Sequence, residues 1–233
     1  MRGPVVALAV TAVVALAAPA SQAADECRGL MACISVPGPW VAIPAPARGR
    51  PSALARWQLR CPEGIVAGLD ARVSDRAVDV GFVGLLGSPV NPGITTRDSV
   101  VFTGTYAGLR PIATSFRPFL GCIRGGGGGR TPTRAQAFRP GQPLSFRTRT
   151  LRLRGGSLTR ATHRCRPGER LLEASHAAGF FTPEPPPAAQ LALVRVTRAV
   201  RGNTIFVAAS RQGVRRGVTV VVQIQALCAR SPG

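Results

Sequence analysis

From Thr219 to Cys228 the chain alternates: Val220, Val222, Ile224, Ala226 and Cys228 share one parity, and Thr219, Val221, Gln223 and Gln225 share the other. A period of two sends successive side chains to opposite faces of an extended backbone, so this stretch reads as a strand with one buried side. The same alternation runs through Trp57, Leu59 and Cys61, and through Val78, Val80 and Phe82 with Asp79 and Gly81 between them. Strands are predicted near residues 56–61, 65–73, 77–85, 99–106 and 112–122. Loops are predicted at 87–98 and 182–188. The second carries Pro183-Glu184-Pro185-Pro186-Pro187, which favours an extended polyproline segment and cannot sit in a central strand.

The first 23 residues follow another pattern. Met1-Arg2 is basic, Pro4 to Pro19 is apolar and rich in Ala, and Ser21-Gln22-Ala23 fits a small-x-Ala cleavage site. This predicts a secretory signal peptide over 1–23. Its apolar core falls short of the ~20 residues a spanning helix needs. No transmembrane segment is expected after cleavage, and the mature chain is expected to be secreted or associated with the cell surface. In an oxidising compartment six cysteines favour disulfides over metal ligands. Cys61 to Cys122 and Cys165 to Cys228 are nearly equal separations, which leaves Cys27 and Cys33 as a local pair.

Those two separations predict one unit used twice. Setting Cys61 on Cys165 aligns Cys61-Pro62-Glu63-Gly64 with Cys165-Arg166-Pro167-Gly168, and Val100-Val101-Phe102 with Thr204-Ile205-Phe206. Ile112 to Cys122 and Val218 to Cys228 both end on cysteine. A repeat with a period near 60 follows. The segment Cys61-Pro62-Glu63-Gly64-Ile65-Val66-Ala67-Gly68 resembles the Cys-Pro-x-Gly openings of secreted, cysteine-framed β-repeat proteins of high-GC bacteria, from which the second unit departs with Arg166-Pro167. The resemblance implies a frame of β repeats and carries over no functional residue.

The expected fold class is therefore all-β, with two tandem disulfide-closed antiparallel β-sandwich-like units of about five strands each. The expected organisation is a leader (1–23), an extended N-terminal arm with a local disulfide (24–51), β unit 1 (52–123), a Gly/Arg-rich linker containing Gly125 to Gly129 (124–143), and β unit 2 (144–230). Units of this size bury little apolar surface. A disulfide closing ~60 residues offsets that by roughly 4 kcal/mol in the chain-entropy model.

Charge adds one functional lead. The chain holds 30 Lys+Arg against 10 Asp+Glu, a formal +20, and every basic residue is Arg. Residues 124–170 concentrate the excess, with Glu169 as their single acid. Within this segment Arg147, Arg149, Arg152 and Arg154 recur at near-alternate positions. The first two share odd parity and the last two even parity, so only a β-bulge between them would align all four. Two readings stand: a docking site for an anionic cell-envelope polymer, or a solvated linker coloured by GC-rich codon usage. No nucleic-acid partner is expected, because the chain is exported and shows no recognition helix.

Catalytic and metal signatures are weak. His163 points inward by strand parity and reads as a packed structural residue. Ser175 and His176 are neighbours on a strand and face opposite ways, which defeats a triad with Glu173. Asp70, Asp75 and Asp79 fit turn caps and solvated strand faces. The chain has no Cys-x-x-Cys, His-x-x-x-His or calcium-loop spacing, and Gly125 to Gly129 lacks the Lys and Ser/Thr of a phosphate loop. No catalytic residue, metal or cofactor is expected. The expected function is that of an exported, non-enzymatic binding or structural protein of the cell envelope. A secreted hydrolase with its site between the two β units is the alternative.

Overall fold

The computed structural model describes residues 27, 33–47, 51–83, 98–124, 144–214 and 217–230. The first part of the chain forms β1 (Cys33–Pro37), β2 (Trp40–Ile43), β3 (Ala55–Arg60), β4 (Ile65–Val73), β5 (Val78–Val83), β6 (Ser99–Tyr106) and β7 (Thr114–Ile123). The later part forms β8 (Leu144–Arg152), β9 (Thr159–Arg164), β10 (Glu169–Phe181), β11 (Val194–Arg201), β12 (Thr204–Arg211) and β13 (Thr219–Arg230), with a single helical turn, α1 (Ala188–Leu191), ahead of β11. The alternation-based strands lie close to their predicted bounds, and Pro183 to Pro187 is not in a strand. The predicted leader, residues 125–143 of the linker and residues 87–97 of the first loop lie outside the described residues.

The fold is all-β and its strand pairs are antiparallel. Disulfides join Cys27 to Cys33, Cys61 to Cys122 and Cys165 to Cys228, the pairs the spacing predicts. The turns after Cys61 and Cys165 both need glycine, since Gly64 and Gly168 have φ of +80° and +77°.

Three sheets form three layers. In the large sheet β7 pairs with β4 along one edge and with β1 and then β2 along the other. From there β2 pairs with β10, β10 with β13, and β13 with β8. The two smaller sheets, β3–β6–β5 and β9–β12–β11, cover opposite faces of it. One core joins Val41, Ile43, Phe116, Leu120, Ala177 and Val221 of the large sheet to Trp57, Val100 and Phe102. The other joins Trp40, Phe180, Val220, Val222 and Ile224 to Ile205, Val207 and Ala209. Neighbours such as Trp40 and Val41 thus enter different cores, as alternating strand residues must.

The sequence predicts two tandem units of about five strands each without saying whether they pack together; the structure differs in strand count and joins the halves. One sheet contains strands of both halves, and the later half supplies six strands. The N-terminal arm is built into that sheet through β1 and β2. Its Trp40-Val41-Ala42-Ile43 run is apolar at every position because both of its faces are covered, and such strands lose the alternation that marks a one-sided strand. β13 is a second difference, because its polar parity is buried as well. Gln223 accepts from Gln58 N at 2.6 Å and donates from Nε2 to Gln58 O at 3.0 Å, while Gln225 Nε2 donates to Gln223 Oε1 at 2.7 Å. Amide side chains that satisfy the backbone of β3 can be buried at little cost, so glutamine there marks the contact between halves rather than solvent.

Candidate functional site

The arginines singled out by sequence are not gathered on one face. β8 pairs with β13 in continuous register from Leu144 to Arg152, without the bulge that would align them. Arg147 is consumed locally: its Nε donates to Glu169 Oε2 at 2.7 Å and its Nη2 pairs with Glu169 Oε1. That guanidinium, against an opposing desolvation, and with the Arg166 N–H as a further donor, holds the Glu169 carboxyl at about 2. The same bond raises the Arg147 pKa. Arg152 lies on the opposite parity beside Thr219 Oγ1, 3.4 Å away, and Arg154 lies beyond the end of β8. Arg149 shares the parity of buried Leu151, and its Nη1 reaches the edge of β9, donating to Thr162 O at 2.6 Å.

Around that edge lies the outer face of β9–β12–β11. Ile205, Val207 and Ala209 point into the core, so residues of the other parity on β12 face out. The register then sets three cross-strand rows: Arg160, Ala208 and Thr197; Thr162, Phe206 and Ala199; Arg164, Thr204 and Arg201. Arg195, opposite Ser210, extends the grid at one end. Phe206 occupies its centre with 40% of its surface exposed. The Arg201 guanidinium lies over its ring, 5.8 Å from the centroid. Part of the face, around Phe206, Thr162, Thr197 and Arg160, forms an open trough of about 700 Å³ that also takes in Arg149 and Arg198, the latter tied to Ala174 O.

No acidic residue lies in these rows, and among the described residues none of Arg160, Arg164, Arg195 and Arg201 is in an ion pair. The acids of the later half are engaged elsewhere or distant: Glu169 with Arg147, Glu173 with Arg56, and Glu184 in the proline loop near Arg117. The outer face thus carries Arg160, Arg164 and Arg195 outside any ion pair among the described residues, with Arg201 over the one exposed aromatic ring of its rows. A second arginine–aromatic cluster plays a different part. Arg72 and Arg117 lie 5.4 and 5.3 Å from the Phe119 centroid, but Phe119 is buried and Arg117 is tied to Gly38 O and Pro183 O at 3.0 and 3.3 Å. Burial, and then Arg72, lower the Arg117 pKa. This cluster braces the arm against the proline loop.

Sequence reasoning missed Phe206 because the repeat alignment slips by one position. Arg60 pairs with Ser99 and Arg164 with Thr204, so Ile205 corresponds to Val100 and not to Val101. A slip of one residue exchanges the two faces of a strand. It placed Phe206 on the position of Phe102, which is only 2% exposed.

The remaining candidates are placed as follows. His163 is half-buried, and its Nε2 donates to Arg147 O at 3.0 Å, a packed role. Ser175 lies opposite Gln225 and His176 opposite Ile224, on different faces of β10, so the two do not meet. His176 Nδ1 is buried without a partner, and its pKa is lowered by burial and then by Arg198. Asp70 and Asp75 accept from the Ala71 and Ala77 N–H groups at 2.7 and 2.8 Å, while Asp79 is exposed. The acid–cysteine group Cys165, Glu169 and Cys228 contains two disulfide sulfurs and a carboxylate already paired with Arg147, so it does not fit a metal. Among the described residues no helix is long and apolar enough to cross a membrane. No protein-family model matches the chain, and no curated protein matches it.

Proposed function

We propose that this is an exported, non-enzymatic protein that binds anionic polymer of the cell envelope through the outer face of β9–β12–β11. The observation that carries the reading is the set Arg160, Arg164, Arg195 and Arg201 on one sheet face, outside any ion pair among the described residues and with no acid in their rows. A closely charged polymer holds condensed counterions, and neutralising several charges releases them, a gain that grows with the number of guanidinium contacts. Arg149 is the member of the sequence-predicted set that adds to this face. Three disulfides and a signal-like N-terminus support export to an oxidising compartment.

The same reading takes the two halves as copies of one unit. Its support is the recurring pairing: β3–β6–β5 matches β9–β12–β11, and β7 between β4 and β1/β2 matches β13 between β10 and β8. A bulge follows the residue opposite the strand's cysteine in each, at Val66/Gly68 and Leu171/Glu173. In this view the basic face belongs to the second copy alone.

Binding to envelope polymer should weaken roughly 10- to 1000-fold between about 50 and 200 mM salt for a handful of contacts. Changing Arg160, Arg164, Arg195 and Arg201 together to Gln should abolish most of the binding and flatten that salt slope, whereas Arg152→Gln with Arg154→Gln should leave both nearly intact. Equal losses per charge removed from the two sets would mean that diffuse charge, and not this face, does the binding.

A further inference from the structure

We infer that the ligand of this face is a carboxylated polysaccharide, a chain of sugar rings bearing uronate-type carboxylates; this rests on the anionic-polymer reading above and narrows it. The arginines alone accept any polyanion. The centre of the grid is what discriminates. Phe206 is flanked across the strands by Thr162 and Ala199 and along its own strand by Thr204 and Ala208, all small, so the 40% of its surface that stays exposed beside the Arg201 guanidinium is an apolar patch open to a ligand. A sugar ring offers a C–H face to such a patch and hydroxyls at its margin, where Thr162 and Thr204 supply matching groups and Thr197, whose Oγ1 donates to Ala208 O at 3.3 Å, keeps an acceptor lone pair. The planar carboxylate suits the arginine fork, which can bind both of its oxygens at once.

Spacing points the same way. Arg160 and Arg164 are four residues apart on β9, about 13 Å in an extended strand, with the Phe206 row between them. That leaves room for ring contact between two anchored charges. An inorganic polyphosphate has no apolar face with which to cover Phe206. A single-stranded nucleic acid gains from successive aromatic platforms, and the rows of this face hold one aromatic ring.

The test compares purified full-length mature protein binding polygalacturonate fragments, inorganic polyphosphate and oligodeoxythymidylate of matched charge at about 150 mM salt. Polygalacturonate should bind tightest. Phe206→Ala should weaken it about tenfold through lost apolar contact while leaving polyphosphate binding unchanged, and Phe206→Tyr should retain parental affinity. Thermal unfolding of each variant checks that the exposed substitution leaves the fold intact. If polyphosphate or the oligonucleotide binds as tightly as polygalacturonate, or if Phe206→Ala changes nothing, the polysaccharide inference is overturned. The broader reading then survives only if the four-arginine variant loses binding to all three probes. If that variant binds them as the parent does, both fall.

Discussion

Glu169 and His176 give the protein two acid-sensitive points whose signs follow from their surroundings. The Glu169 carboxyl ordinarily titrates at 4.5 and is held at about 2 by Arg147. Between those values the unfolded chain takes up a proton that the folded one refuses, so stability is lost as pH falls through that window. Urea unfolding midpoints should drop more steeply there for the parent than for Glu169→Gln. Equal slopes would show that the pair does not contribute. His176 has its pKa lowered from 6.5 by burial and by the neighbouring Arg198. Its unfolded form therefore binds the proton first, and stability declines as pH drops below 6.5. His176→Gln should remove that part of the decline, seen as a flatter melting-temperature profile on the acid side of neutrality. Parity sufficed to place His163 on the inward face of β9. It could not read Phe206, because both strand parities contain apolar residues on β12 and only the pairing with β9 decides which points outward.

The two glycine turns show how equal motifs meet different neighbours. A Cβ on Gly64 would lie 1.9 Å from Ile123 O, whereas a Cβ on Gly168 would meet nothing within 4 Å. Gly168→Ala should cost only the left-handed backbone penalty, about 1 kcal/mol. Gly64→Ala should cost more than about 3 kcal/mol, because the obstacle is backbone that no rotamer change can clear. Chemical denaturation of the two variants distinguishes them, and similar losses would mean the turn after Cys61 can open. Elements such as β4 and β6 were legible because hydrophobic period and turn residues are local. β2 was not, since a four-residue apolar run between prolines carries no period and its partners are supplied from far along the chain.

At the scale of the molecule, β2 is the stitch: it pairs with β7 on one side and β10 on the other and sends Trp40, 4% exposed, into the core of the later half. Trp40→Ala should destabilise by about 3–5 kcal/mol, and hydrogen exchange should quicken in β12 and β13 as well as in β1 and β2. Loss confined to β1–β7 would show the halves to be energetically separate. The layered architecture was legible only as far as its strands and disulfides. Gln223 looks like a surface residue until Gln58 is placed against it. On the export proposed above, the disulfide pattern has a consequence for biogenesis. The cysteines pair in chain order, the first with the second, the third with the fourth and the fifth with the sixth. A polypeptide threaded amino end first into an oxidising space presents the members of each native pair in succession, so an oxidase acting on the first two thiols available forms the correct bond every time. A disulfide isomerase should then raise the yield when the full-length reduced chain is refolded in a tube, where all six thiols compete, and add nothing when oxidation accompanies translocation.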